Sequence, residues 1–299
     1  MSSLLPRAVL VTRQTEFDRL IASHATRGQA EFFLKSRNQS LKVLEERHMK
    51  QTTTVEWAKR AVPEEWTTAE VLREDLDRFL FAANDIVIAI GQDGLVANLA
   101  KYLEGQPVLG VTPDPEWTEG ALTSITVDRL PGLLPPVAAG DIELERRSMV
   151  EARLEDGQKI AALNELFIGH RSHQSARYLI RCGKAEEFQS SSGVIISTGT
   201  GLTGWARSIL TATRKEVAFG VQDRRAVHFT REPWPSRHTG CSLSFGEISE
   251  GEMIELTSRM NEGGVIFADG IEQDFLRFDW GVTTGVALSS RTMNLVTPS

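Results

Sequence analysis

Asp85-Ile86-Val87-Ile88-Ala89-Ile90, followed at once by Gly91-Gln92-Asp93-Gly94, is the stretch on which the fold turns. An apolar run without alternation suits a strand covered on both faces, as in a parallel sheet. The glycine-flanked turn puts a carboxylate at the carboxyl end of that strand, where open α/β sheets bind ligands. Downstream, residues 96–103 read as a helix closed by Gly105, and Pro107-Val108-Leu109-Gly110-Val111 reads as a second buried strand, which completes a βαβ unit. Upstream, residues 8–12 form an apolar strand. Helix-compatible sequence follows from Glu16 to about Arg60, with a break near Thr26-Arg27-Gly28. Thr67-Thr68-Ala69-Glu70 has the form of an N-cap with an acid in the first turn. Val71, Leu72, Leu76, Phe79 and Leu80 follow at helical spacing, so a further helix is expected there.

Beyond about Asp128 the texture changes. A Pro/Gly-rich segment (residues 130–140) gives way to short alternating runs at 142–154, 161–169, 178–182, 193–197, 241–245, 253–258, 264–268 and 286–290, all of them plausible strands. The expectation is an α/β N-terminal domain on a Rossmann-like parallel sheet (1–127) and a mainly-β C-terminal domain (128–299), with the last strand or tail able to return to the first.

Composition narrows the function. The 33 Lys+Arg against 40 Asp+Glu leave a net charge of -7 in a 299-residue chain. Arg224, Arg225, Arg231 and Arg237 are interleaved with acids and prolines, so no basic stripe points to nucleic acid. Cys182 and Cys241 have no CxxC spacing, which argues against a structural metal and for small core residues in a reducing compartment. Apolar runs fall short of the roughly 18 residues of a membrane span. With a strand beginning so near the N-terminus, no targeting segment is expected, and the expected location is cytoplasmic. No GK[ST] P-loop, HExxH or GxSxG motif is present.

Several segments could carry chemistry. The first is Gly91-Gln92-Asp93-Gly94. The second is Asn164-Glu165, set inside the apolar run Ala161-Ala162-Leu163 and Leu166-Phe167-Ile168. If this run is one strand, the amide and the acid face opposite sides, and at least one faces inward and needs a partner. The third is Ser192-Gly193 and Ser197-Thr198-Gly199-Thr200-Gly201-Leu202-Thr203-Gly204-Trp205, a β run breaking into a hydroxyl-rich turn before a helix, which suits a polar or anionic ligand. Residues 199–204 also read as GxGxxG with Asp223 beyond. After Val217, however, the chain turns charged and Pro-rich rather than into a second buried parallel strand, so a dehydrogenase is disfavoured. The fourth is Asp269-Gly270, which alone is most simply a hairpin turn.

Taken in order, GQDG, ERRSMVEARL, ALNEL, SSGVIISTGTGLTGW and VIFADG resemble the NAD kinase family. The segments LEERH (residues 44–48), TPDPEWTEG (112–120), ALNELFIG (162–169 with Ala161 before it) and Arg231-Glu232-Pro233 are similar to its mitochondrial-type branch. The resemblance implies an NAD kinase-like fold that transfers a phosphoryl group from ATP, or polyphosphate, to the adenosine-ribose 2′-hydroxyl of NAD, with Mg²⁺ accompanying ATP. It implies Asp93 as the catalytic acceptor of the hydroxyl proton, Gly91, Gln92 and Gly94 at the donor phosphates, and no metal held by protein ligands alone. It further implies Asn164, Glu165, Ser192, Ser197, Thr198, Thr203, Gly204, Trp205 and Asp269 around the acceptor. The expected partners are these nucleotides, with neither nucleic acid nor membrane, and the expected assembly is a homo-oligomer, a dimer. Two alternatives remain open, a non-catalytic NAD(P)-binding protein and a kinase for a sugar or lipid acceptor. Where the family's loop reads GGDGT, this chain has Gln92 and Leu95. A side chain at 92 is expected to crowd phosphates, to restrict any positive φ and so to weaken the donor site, unless its amide replaces the lost contacts.

Overall fold

The computed structural model describes residues 5–24, 26–116 and 120–297. Its chain divides into two compact units. The first extends to Glu145 and takes back the chain from Asn294; the second is Arg146–Met293.

In the first unit, β1 (Arg7–Thr12) is followed by α1 (Glu16–His24), α2 (Arg27–Lys35) and α3 (Leu41–Ala61), then β2 (Thr67–Leu72) and β3 (Asp85–Ile90). Next come α4 (Asp93–Ala100), β4 (Pro107–Val111) and α5 (Leu130–Ala139). The strands pair in parallel in the order β2-β1-β3-β4. Every residue of β3 is buried, as its continuous apolar run requires. The segment expected to be a helix from Thr67 is instead the edge strand β2 followed by a single short 3-10 stretch, Arg73–Arg78. Thr67, Thr68 and Val71 are β-branched, and a ladder beside β1 satisfies their backbone groups while Val71 is buried; tertiary pairing overrides the capping pattern.

The division at Glu145 lies beyond the expected boundary at 127/128 for a packing reason. Leu130, Leu133, Leu134 and Val137 of α5 share one core with Leu10, Ile88 and Leu109. The carboxyl end of the chain joins this unit as well, where Asn294 and Leu295 pair in parallel with Pro107 and Val108.

The second unit is mainly β. Its strands are β5 (Leu144–Leu154), β6 (Lys159–Ala162), β7 (Glu165–His170), β8 (Ala176–Cys182), β9 (Ala185–Ser191) and β10 (Val194–Thr198), then α6 (Trp205–Thr213), β11 (Arg225–Thr230), β12 (Phe245–Ser249), β13 (Met253–Ser258), β14 (Gly264–Ala268), β15 (Phe275–Arg277) and β16 (Thr283–Val296), whose last residues belong to the first unit. One sheet runs β12-β11-β10-β7-β14-β15 and is antiparallel throughout. Its inner face packs in a core around Ile168, Tyr178, Ile196, Leu256 and Ile266. Its other face carries α6 over Phe167, Ile195, Val227, Phe229 and Val265. Because β11 returns antiparallel beside β10, the GxGxxG run does not open a βαβ unit. Residues 241–244 lie outside any strand, and Cys241 is exposed rather than in the core, while Cys182 is half-buried. No helix among the described residues is long and apolar enough to cross a membrane.

Candidate functional site

The first unit places the Gly91–Gly94 turn at the junction of β1 and β3. The connection from β1 leads to β2 on one side, and β3 and β4 lie on the other, so this junction is the switch point at which open α/β sheets bind ligands. Asp93 opens α4, where a carboxylate complements the helix dipole. Its Oδ1 accepts from the Leu122 N–H (3.0 Å), the Thr123 N–H (2.9 Å) and the Thr123 hydroxyl (2.8 Å). Its Oδ2 accepts from the Ala121 N–H (2.7 Å). Asp93 is therefore more than a residue of a glycine-flanked turn. It is half-buried, and it anchors the 121–123 segment because three consecutive amides there need an acceptor. A Cβ on Gly120 would lie 2.6 Å from Asp93 Oδ1, so glycine is required for this approach. Residues 117–119 of the TPDPEWTEG segment lie outside the described residues.

Gly91 donates its N–H to the Val111 carbonyl (3.0 Å). Gln92 is exposed with φ −106°, an ordinary extended geometry, so no positive φ is required there and that part of the expected penalty falls away. Its Oε1 accepts from Arg13 (2.9 Å). Gly94 is exposed in the first turn of α4, whereas Leu95 is buried beneath Gly91, packing where the resemblance expects a hydroxyl. Sequence reasoning missed the cations beside this loop. A cavity of about 140 Å³ is lined by Gly91 and Gln92 together with Arg13, Arg47 and Lys50.

In the second unit Asn164 does not lie within a strand, because the run 161–169 breaks between β6 and β7. Asp269 causes the break. Its carboxylate accepts from the backbone N–H groups of Leu163 (3.0 Å), Asn164 (2.7 Å) and Glu165 (3.2 Å), and its own N–H donates to the Glu165 carbonyl (3.0 Å). Asp269 adopts φ +51°, a left-handed geometry that Asp tolerates better than most residues. It is thus a bracket for the 163–165 backbone as well as part of a turn. The Asn164 amide and the Glu165 carboxyl make no hydrogen bond among the described residues. Glu165 is only 9% exposed. Burial, reinforced by the negative charge of Asp269, raises its pKa from 4.5 to about 7.

The hydroxyl-rich turn corrects another expectation. Ser197 and Thr198 are fully buried, and their hydroxyls serve the turn itself: Ser197 donates to the Thr198 carbonyl (3.1 Å), and Thr198 donates to Leu163 and accepts from the Thr200 N–H (3.1 Å). Both hydroxyls are thus engaged by the backbone of the turn itself. A Cβ on Gly201 would lie 2.3 Å from the Asn164 carbonyl, so the glycine serves close backbone packing rather than phosphate approach. Thr203 and Gly204 are exposed ahead of α6, and the Thr203 hydroxyl donates to the Thr200 carbonyl (2.9 Å). Trp205 stacks on Phe167 with centroids 6.2 Å apart, beneath the Arg231 guanidinium. Ser192, Phe167, Trp205 and Arg231 line a cavity of about 600 Å³ on the α6 face.

Glu165→Gln gives a pH test of this geometry. Between pH 4.5 and 7 the folded state holds a proton that the unfolded chain has released, so Glu165 withdraws stability as pH rises through that window. The Gln variant is expected to match wild type near pH 4.5 and to exceed it above pH 8 by up to about 3 kcal/mol in urea denaturation. An equal difference at both pH values would remove Glu165 from its buried setting.

No protein-family model matches the chain. It is 30% identical over 145 residues to an NAD kinase of Acidithiobacillus ferrooxidans, covering 44% of this chain and 48% of that protein. To an NAD kinase of Burkholderia cenocepacia it is 32% identical over 136 residues, covering 42% and 44%. The matched part thus spans less than half the length of these curated relatives. Among solved structures, an NAD kinase from Archaeoglobus fulgidus in complex with ATP superposes with a TM-score of 0.58 at 19% identity, over 97% of this chain and 93% of that one. Yeast NADH kinase complexed with NADH gives a TM-score of 0.60 at 13% identity, over 100% and 85%. The chain has an NAD kinase-like fold, α/β in its first part and mainly β in its second.

Proposed function

We propose that this chain is a kinase of the NAD kinase family, of its mitochondrial-type branch, which phosphorylates the 2′-hydroxyl of the adenosine ribose of NAD at the expense of ATP. The observation that carries the reading is the pair Asn164 and Glu165, an amide and a carboxyl without hydrogen bonds among the described residues, on a backbone that Asp269 holds rigid. Such groups are costly in a half-buried position unless a ligand completes them. Sequence similarity to NAD kinases over part of the chain supports the same reading.

Phosphoryl transfer asks little covalent help of the protein, so positioning and charge neutralisation dominate. Asn164 and Glu165 hydrogen-bond the acceptor nucleotide, with Thr203, Gly204 and Trp205 walling its pocket and Ser192 bordering the far side. Ser197, Thr198 and Asp269 act by positioning the turn and the bracket. The 2′-oxygen forms a bond to the terminal phosphorus as the bond from that phosphorus to the bridging oxygen of ATP breaks. The hydroxyl proton passes to Asp93 Oδ2, which accepts fewer internal hydrogen bonds than Oδ1. Gly91, Gln92 and the amide of Gly94 face the donor phosphates. Mg²⁺ arriving with ATP would neutralise charge on those phosphates.

An NADP-formation assay with ATP, run beside NAD-binding calorimetry, tests the proposal. Turnover is expected. Binding without turnover would leave a non-catalytic NAD-binding protein, and the absence of both would point to another acceptor.

A further inference from the structure

The second unit carries a chain of hydrogen-bonded polar side chains inside its apolar core, at some distance in sequence from Asn164, Glu165 and Asp269. Tyr178 on β8 and Gln189 on β9 are fully buried, and Ser191 and Thr230 nearly so. The Tyr178 hydroxyl donates to Gln189 Oε1 (3.0 Å), and the Thr230 hydroxyl donates to the same oxygen (2.9 Å). Gln189 Nε2 donates to Glu187 Oε1 (2.6 Å), and the Glu187 carboxylate also accepts from the N–H groups of Ser242 (3.0 Å) and Leu243 (3.3 Å). At the other end Tyr178 Oη lies 2.7 Å from Ser191 Oγ, which accepts from the Gly193 N–H (3.0 Å).

The protons in this chain run in one direction. A carboxylate only accepts, so Glu187 draws the NH₂ of Gln189 toward itself and leaves the amide oxygen facing the two hydroxyls. Tyr178 commits its single proton to that oxygen, and burial pushes its pKa up to about 12, so the proton stays in place. Ser191 must therefore donate to Tyr178, and this orients its oxygen toward the Gly193 N–H. The Ser192–Gly193 turn is tied to Arg231 as well. The Ser192 N–H donates to the Arg231 carbonyl (2.9 Å), and the Arg231 N–H donates to the Gly193 carbonyl (2.8 Å). Ser192 and Arg231 both line the cavity of about 600 Å³, where the Arg231 guanidinium lies 5.1 Å from the centroid of the Trp205 ring.

We infer that Tyr178 is a positioning residue: through Ser191 it fixes the Ser192–Gly193 turn, and with it the Arg231 side of the cavity, in the geometry that a ligand meets. That the ligand is NAD rests on the kinase reading above; the positioning of the wall does not. Without the phenol oxygen the Ser191 hydroxyl is a buried donor that has lost its acceptor, and the aliphatic side chains of Ile168, Ile196 and Leu256 in the same core cannot replace it. Turning Ser191 toward another acceptor withdraws its oxygen from the Gly193 N–H, so the loss is felt at the turn rather than spread through the core.

Two measurements on the full chain test this, NAD-binding calorimetry and amide hydrogen exchange by NMR without ligand. In Tyr178→Phe the amides of Ser192, Gly193 and Arg231 are expected to exchange faster, by about tenfold or more, while those of Ile195 and Ile196 on β10 change less, and NAD affinity is expected to fall by about tenfold, the effect of one lost hydrogen bond. Ser191→Ala is expected to do the same, and the double variant to be no weaker than the stronger single one, because both act through the Gly193 contact. Ile180→Val thins the same core on the same strand, so it is expected to lower stability and leave NAD affinity unchanged. The inference is overturned if Tyr178→Phe leaves the three amides as protected as in wild type. It is also overturned if wild type binds NAD and both single variants bind it equally well, if their effects simply add, or if Ile180→Val weakens NAD to the same extent. If the three amides loosen selectively while wild type neither binds nor turns over NAD, the kinase reading fails and the positioning by Tyr178 stands.

Discussion

Asp93→Asn is expected to reduce NADP formation by about 10²–10⁴, the usual contribution of a positioned general base, and to lower stability at the same time. The second effect follows from the hydrogen bonds. Asp93 gathers the amides of Ala121, Leu122 and Thr123 and the Thr123 hydroxyl on two oxygens, and an asparagine turns one of those oxygens into a donor that faces donors. Leaving one or two such groups unsatisfied costs about 1–3 kcal/mol. Loss of rate alone therefore does not separate chemistry from support. Thr123→Val does, because it removes only the hydroxyl donor and leaves the carboxylate in place, with an expected stability loss of about 1 kcal/mol and turnover near wild type. Thermal unfolding and NADP formation measured on both variants decide the matter. If Asp93→Asn keeps wild-type turnover, or if both variants lose activity in proportion to their stability, Asp93 is a structural anchor and the proton goes elsewhere.

Where the fold is carried by burial, it was legible in the chain. A strand such as Asp85–Ile90, apolar without alternation, has few places to go other than the middle of a parallel sheet, and the helix and strand after it complete a right-handed unit almost by default. Thr67–Leu72 shows the opposite case. Its capping residues and helical spacing are local signals, and a ladder with Arg7–Thr12 outweighs them, which no window around residue 70 contains. The candidate site divides along the same line. Gln92 and Leu95 were visible as departures, but their meaning depends on a φ of −106° and on burial beneath Gly91, both set by tertiary packing. Ser197 and Thr198 look like ligand hydroxyls in sequence and are spent on the backbone of residues 163–200, because a tight turn of buried peptide groups must find its own acceptors and donors. Arg13 and Lys50 are far apart in the chain and become neighbours of one cavity only through the packing of the first unit.

Asp269→Ala is expected to be the most damaging substitution in the second unit. It strands the amides of Leu163, Asn164 and Glu165 together, and it puts alanine at φ +51°, where a Cβ is disfavoured and no side-chain oxygen offsets the cost. A loss of about 3–5 kcal/mol follows, at the upper end of single-residue effects. Asp269→Asn keeps a carbonyl acceptor and a residue at ease in the left-handed region, so it should fold with a smaller loss and allow the site itself to be read. Two consequences then separate a bracket from a mere turn. NAD affinity should fall in Asp269→Asn, because Asn164 and Glu165 are aimed by the backbone that the carboxylate holds. The pH at which NAD binding changes with Glu165 ionisation should also move downward from about 7, because Asp269's charge is the second cause of that raised value and burial, the first, is untouched. A calorimetric pH series on wild type, Asp269→Asn and Glu165→Gln resolves this, with the Gln variant lacking that transition altogether. Wild-type affinity and an unmoved transition in Asp269→Asn would reduce Asp269 to the hairpin residue that its Asp-Gly sequence first suggests, and would leave Asn164 and Glu165 to be oriented by something other than the bracket.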